Sequence, residues 1–350
     1  MIKKINLHRK PPRWFREQKE RKKRSFGGFF KAWLWLLFLI IITLVGLRVW
    51  FWMRQGLWDG RHNFNFVIWS QNQFYVIAYR SGMDEINILQ VSPETYLPLV
   101  KGYGEYRASS VWQLGELEKF GGGQLLQLST QNFLGVPMQG WGKINSKFNP
   151  PAGGSKLTKR ELLIMIGRLI FTKEKNLTAW DLIRFLDKIN SLPASKINYY
   201  NLDETRAGEE IELPDGQRAF KIEQAFLDNL VKNLYKDIGV LNEGIIWVVI
   251  NKNQHAGLAT QIARMIDNIG GEVTAFYEKP EMASEGIYCG LARQLTAGLA
   301  GGQSELCESY TVALLSRTLK LPIKRETFQE SRAEAVIVLG ENHWQFFYQR

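Results

Sequence analysis

At 350 residues the chain is long enough for two domains of ordinary size, and 45% hydrophobic with 23% charged residues excludes a disordered polymer. A net charge of +11 suggests a nucleic-acid binder until it is mapped. Residues 1–31 hold twelve Lys and Arg against Glu17 and Glu20, a surplus that leaves only +1 for the rest, so no nucleic-acid partner is expected.

Behind that basic tail (1–31), residues 32–47 carry no charge, and after Arg48 the run Val49-Trp50-Phe51-Trp52-Met53 is again apolar. A helix needs about 20 such residues to cross a bilayer. Arg48 lies near the far end, where its long stem can reach the interface, and Trp33, Trp35, Trp50 and Trp52 mark the two boundaries. A cleaved signal peptide would be shorter and would end in small residues, whereas 49–54 is bulky and aromatic. The segment 32–53 therefore reads as an uncleaved signal anchor. The positive-inside rule puts the tail in the cytoplasm and everything after about residue 54 outside the cell membrane.

A polar stalk, 54–63, leads to strand-like runs at 64–69, 74–79 and 86–91, joined by short turns at 70–73 and 80–85. Such spacing predicts an antiparallel meander. Pro93-Glu94-Thr95-Tyr96 and then a Gly/Tyr-rich loop, 101–107, precede helical stretches at 110–120 and 123–134. Pro150, Pro151, Gly153 and Gly154 mark 145–156 as a loop. Helices are expected at 159–171 and 178–189, the second opened by Thr178 with Asp181 three residues on. A strand at 197–202, a hairpin around Pro214-Asp215-Gly216 and a helix at 222–236 follow, with a boundary near 240–243.

From Gly244 the pattern changes. A continuous apolar strand at 245–250, a helix at 258–269 and a strand at 272–277 make a βαβ unit with parallel pairing. A helix at 309–319 and a strand at 335–339 complete a small α/β domain.

Val249-Ile250-Asn251, Gly257-Leu258-Ala259, Gly270-Gly271-Glu272-Val273 and Val336-Ile337-Val338-Leu339-Gly340, in that order, resemble the LytR C-terminal domain over about 243–343. That domain often follows the catalytic domain of LytR-CpsA-Psr (LCP) envelope proteins. Upstream, Val91-Ser92-Pro93-Glu94-Thr95-Tyr96, Tyr106-Arg107-Ala108-Ser109-Ser110 and Phe133-Leu134-Gly135-Val136-Pro137 resemble, in order, that domain's Pro-Arg-Asp-Thr motif, basic stretch and helix end. The resemblance implies an α/β fold throughout. An N-terminal transmembrane helix is followed by a degenerate LCP-like α-β-α sandwich at 64–240 and a LytR C-terminal-like domain at 243–350. It also implies a magnesium-dependent transfer of a pyrophosphate-linked glycopolymer to peptidoglycan.

The departures are specific. Only Ser70-Gln71-Asn72-Gln73 joins the first two strands, where the family carries an acidic, arginine-bearing loop, and Pro93-Glu94-Thr95 lacks the motif's arginine. Pyrophosphate needs magnesium on carboxylates and cations on phosphoryl oxygens. The remaining catalytic candidates are Glu94, Arg80, Lys101 and Arg107, each of which can equally be a turn or surface residue. The Asn251-to-Gly257 loop, with Lys252 and His255, is either a phosphate-type cradle or a plain connection, and Gly301-Gly302-Gln303 is a weaker version of the same idea. Trp112, Trp141, Trp180 and Trp247 can line a glycan groove or fill a core. Cys289 and Cys307 are a disulfide in an oxidising compartment or two buried thiols. His8, His62, His255 and His343 are scattered and suggest no metal site. The expectation is a membrane-anchored bacterial envelope protein that binds wall glycopolymer, peptidoglycan or an envelope protein without catalysis and without a cofactor. The alternatives are an active phosphotransferase using magnesium and a protein-docking scaffold.

Overall fold

The structure is a computed structural model describing residues 14, 31, 33–48, 56–144, 157–205, 207–212, 216, 218–253, 255–278, 284–290, 306–328 and 333–348. Most of the basic tail, positions 49–53 of the expected span, the 145–156 loop, Pro214-Asp215 and Gly301-Gly302-Gln303 lie outside the described residues. The chain divides into two compact units, 1–55 and 56–350. In the first, residues 33–48 form helix α1, whose large apolar side chains are exposed, Trp35 at 70% and Leu39 at 65%. Among the described residues no helix is long and apolar enough to cross a membrane.

The second unit begins with strands β1 (Phe64–Ser70), β2 (Gln73–Arg80) and β3 (Glu85–Val91). They form the expected antiparallel meander, in register from Phe64↔Tyr79 to Ser70↔Gln73 and from Phe74↔Val91 to Arg80↔Glu85. The first turn is made by Gln71 and Asn72, both at positive φ (51° and 66°). That mirror-image turn matches the right-handed twist of the strands it joins. Strand β6 (Gly140–Ile144) adds parallel to β1 and β7 (Ile197–Asn201) parallel to β3, giving the order β6-β1-β2-β3-β7.

Both faces of this sheet are buried, so its strands read as apolar runs rather than alternations. On one face Phe64, Phe66, Ile68, Ile77 and Ile88 pack on α4 (Lys159–Phe171) and α5 (Ala179–Ser191) through Leu162, Met165, Ile166, Leu182 and Phe185. Capping boxes at Thr158 and Thr178 start these two helices, the second as expected from Thr178 and Asp181. On the other face Val67, Trp69, Phe74 and Leu89 meet α2 (Val111–Leu117) and α3 (Gly122–Leu134). Here a pair of glycines matters: a Cβ on Gly122 would lie 2.8 Å from the Trp112 indole, and one on Gly123 only 2.2 Å from the Trp141 ring atoms. Only a bare backbone lets both indoles sit against the first turn of α3.

A second, four-stranded sheet orders β5-β4-β9-β8. Strands β4 (Thr95–Leu99) and β5 (Gly104–Arg107) form a hairpin where a loop was expected. Strands β8 (Gly208–Glu212) and β9 (Arg218–Ile222) are the predicted hairpin, with Ile222 in β9 rather than in the following helix α6 (Gln224–Tyr235). Short helix α7 (Ile238–Glu243) ends on Gly244, which takes the left-handed conformation at φ 57°.

The third sheet orders β11-β10-β14-β12-β13. Its centre, β10 (Ile246–Asn251), pairs in parallel with β11 (Glu272–Glu278) across α8 (Leu258–Asn268), as the βαβ reading expects, and with β14 (Ala335–Leu339) on its other side. Strands β12 (Gly286–Gly290) and β13 (Ile323–Thr327) and helices α9 (Tyr310–Leu319) and α10 (Glu341–Phe347) complete it. Trp247 and Val249 point into one face with α8 and α9, whereas Val248, Ile250, Val336 and Val338 form a separate cluster on the other.

No seam of solvent divides the two five-stranded sheets: one apolar cluster runs from Val67 and Trp112 through Val231 to Trp247, Ile266 and Phe347. Its polar tie is Arg264, which pairs with Asp228 at 2.7 Å and donates to the Asn132 and Phe133 carbonyls at the end of α3. Asn268 donates to Leu134 and Gly135 in the same place.

Candidate functional site

The four charged candidates occupy three places. Arg80 ends β2 and forms an ion pair with Glu85 across the turn at 2.7 Å, while also donating to the Asn233 carbonyl. Glu94 lies three residues beyond the opposite end of β3, so the strand's rise alone separates the two by roughly 20 Å. Lys101 turns to the C-terminal helix instead, its Nζ donating to the Gln345 carbonyl at 2.8 Å and its backbone N–H to Phe347. A lysine capping the last carbonyls of a helix is a structural role. Partial burial lowers the Lys101 pKa.

Glu94 and Arg107 do share one end of the β4–β5 hairpin, since Arg107 pairs with Tyr96 and Ser109 N–H donates to the Pro93 carbonyl. Arg107 holds its guanidinium 5.9 Å from the centre of the Tyr96 ring, and one terminal nitrogen is buried with no hydrogen-bond partner. Glu94 is exposed, and its backbone carbonyl accepts from Phe220. No ion pair joins Glu94 to Arg107 among the described residues.

Sequence reasoning missed the group that completes this end. Asp203, just after β7, accepts from the Thr95 hydroxyl at 3.0 Å. Burial raises its pKa, the Ser92 and Thr95 hydroxyls counter that, and the nearby charges of Glu94 and Glu204 raise it further. A single acid following a strand carries no motif, so nothing in the sequence marked it. Among the described residues no group of three or more His, Cys, Asp or Glu stands close enough together to hold a metal ion on its own.

The Asn251–Gly257 loop is occupied by its own side chains. Asn251 donates to the His255 carbonyl at 2.7 Å, its oxygen accepts from Asn253, and Asn253 accepts from His255 N–H while donating to Gly340. The His255 ring stacks on Trp344 at 3.6 Å, and Trp344 on Tyr348 at 4.9 Å. Gly257, at φ 90°, lets the chain turn sharply into α8. These bonds tie the loop to itself and to Gly340 just after β14.

Of the tryptophans, Trp247 is fully buried and Trp112 is 5% exposed, so both belong to the core. Trp141 and Trp180 are half-buried. Trp141 N–H donates to the Asn176 side chain at 2.6 Å, and Asn176 donates to Gln127 at 3.0 Å. Arg184 lies 5.0 Å over the Trp180 ring. Cys289 and Cys307 form a disulfide with their Cα atoms 5.3 Å apart, and both are buried. The pair is therefore a buried disulfide rather than two free thiols.

No family model matches the chain, and no curated protein matches it. Among solved structures the neighbours are LCP-family proteins. TagT bound to LIIa-WTA is 14% identical, over 52% of this chain and 93% of that chain, with a TM-score of 0.37. The LytR-CPS2A-psr family protein YwtF (TagT) with bound octaprenyl pyrophosphate lipid is 15% identical, over 52% and 93%, at 0.36. B. subtilis TagV is 10% identical, over 50% and 96%, at 0.37. These figures are too low to transfer a ligand or an activity, and this chain is similar to these proteins over about half its length.

Proposed function

We propose that the chain is a membrane-anchored bacterial cell-envelope protein that binds wall glycopolymer, peptidoglycan or an envelope partner and does not transfer glycopolymer. The observation that carries the reading is the dispersal of the charged candidates. Arg80 is held by Glu85, Lys101 by the C-terminal helix, and Glu94 stands about a strand's length from Arg80. Phosphoryl transfer needs such groups converging on one set of oxygens. The family-like motifs thus keep their order, with Glu94 and Arg107 at one hairpin end and Arg80 and Lys101 held elsewhere. The anchor rests on the uncharged segment behind the basic tail and on the exposed apolar side chains of α1, which need a non-aqueous surrounding. Half-buried Trp141 beside the Asn176 and Gln127 amides supplies the mixture of aromatic face and hydrogen-bonding groups that a sugar ring uses. Full-length protein in detergent, sedimented with isolated cell walls, is retained above a control protein of equal size and charge. Equal recovery of the two would defeat the reading.

The phosphotransferase alternative keeps one observation in its favour. The unpartnered nitrogen of Arg107 shares an end with Glu94, and an anion there would satisfy it. It predicts pyrophosphate-lipid copurification that is lost in Arg107→Ala.

A further inference from the structure

At the end of the first sheet where the chain joins the body, five large apolar side chains are exposed: Leu57 at 40%, Met83 at 55%, Ile183 at 44%, Ile238 at 43% and Leu241 at 42%. They come from four segments held together by specific contacts. Leu57 and Trp58 N–H groups both donate to Asp181, two residues before Ile183 in the first part of α5. The Ser81 N–H donates to Asn63, and Asn63 donates to the Lys236 carbonyl, which brings the β2–β3 turn and the start of α7 to the same place. Gly82 packs on Ile238, so Met83 follows directly beside it, and Ile238 and Leu241 are one turn apart on one side of α7.

Cations interleave with this surface. Arg61, Lys196 and Lys236 are exposed, Lys196 reaching the Met83 carbonyl at 3.2 Å, and Arg184 and Lys188 flank them. The acids at this end are engaged: Asp59 with His62, Asp84 with Lys188 and Tyr79, Glu85 with Arg80, and Glu243 with the first N–H groups of α9; Asp187 is exposed.

We infer that this face rests on the lipid bilayer, its apolar side chains in the interfacial layer and its cations among anionic headgroups. The inference rests on the anchor reading. If residues 32–53 cross the bilayer, Gly56 follows Met53 by three residues and lies within about 10 Å of the interface. The surface around Leu57 then has lipid as its nearest neighbour, and exposed apolar groups rimmed by cations are what an interfacial layer accepts. Such a contact fixes the orientation of the body above the membrane. The β4–β5 hairpin's Glu94 end, beyond the far end of β3, would face away from the lipid.

The test uses full-length protein in anionic-lipid vesicles. Cys289 and Cys307 are joined, so an added cysteine is the reactive thiol. Met83→Cys, Leu241→Cys and, at the opposite end beyond the start of α3, Leu117→Cys (79% exposed) each receive a fluorescent probe. Nitroxide-bearing lipids should quench the probes at 83 and 241 as they do groups about 5–10 Å deep, and leave that at 117 unquenched. Carbonate-resistant protein with all three probes unquenched overturns the inference and leaves the anchor intact. Probes at 83 and 241 shielded from both lipid nitroxides and aqueous iodide also overturn it, in favour of a protein neighbour. Extraction by carbonate overturns the anchor reading itself.

Discussion

The sheet around β1 has helices on both faces and is filled by Phe64, Phe66, Phe185, Trp69 and Trp112, whereas the sheet around β10 has its described helices on one face and a disulfide at β12. Both bury their central strands completely, yet by different means. The first depends on aromatic volume and on capped helices. The second depends on polar and covalent ties, among them Arg264 and Asn268 reaching across to α3. Arg80 and Lys101 of the first region are engaged in holding a turn and a distant helix end, so of the four charged candidates only Glu94 and Arg107 share an end.

This contrast can be broken most sharply in the cores. Phe185→Ala and Trp247→Ala each remove a fully buried ring, one per sheet, and each should cost about 3–5 kcal/mol by chemical denaturation. Because one apolar cluster spans both sheets, Trp247→Ala should leave a single cooperative transition; two separated transitions would mean the sheets fold independently. Next in size is the covalent tie. Cys289→Ser opens a bridge between residues 18 apart and should lower stability by about 3 kcal/mol under oxidising conditions, and by less in reduced protein.

A pH profile separates the regions more finely. His343 is 3% exposed, and burial lowers its pKa from 6.5 to about 4. The unfolded chain takes up that proton first. Its contribution is therefore complete above pH about 6.5 and is lost as pH falls towards 4, by about 2–3 kcal/mol between pH 7 and 4.5. Half-buried Asp203 and buried Asp237, with raised pKa values, act in the opposite sense and stabilise in acid. Comparing wild type with His343→Gln isolates the histidine: the variant should lose less stability on acidification, and parallel profiles would refute the assignment. The smallest effect belongs to the first region's caps, where Thr178→Ala should cost about 1 kcal/mol, read as a shift in denaturation midpoint.

Much of the architecture was legible because it is written in local patterns. The apolar runs at 64–69, 74–79 and 86–91 and the Thr178–Asp181 spacing are examples, as is the βαβ unit after Gly244. What escaped has a physical reason. Strand β4 contains Pro98, β5 is Gly-Glu-Tyr-Arg with three exposed positions, and β13 begins Ile-Lys-Arg-Glu, so none shows an apolar period. The candidate site was legible only as residue types. That Lys101 would meet Gln345, 244 positions away, has no local signature, and neither has Asp203 beneath Thr95.

The central claim is that the family-like motifs survive in order without a working centre. Its most direct test is transfer of lipid-pyrophosphate-linked glycopolymer to peptidoglycan by the full-length protein, with and without magnesium, in wild type and Glu94→Ala. The account predicts no transfer above a protein-free blank in either, with wall retention unchanged by the substitution. Magnesium-dependent transfer by the wild type that disappears in Glu94→Ala would contradict it.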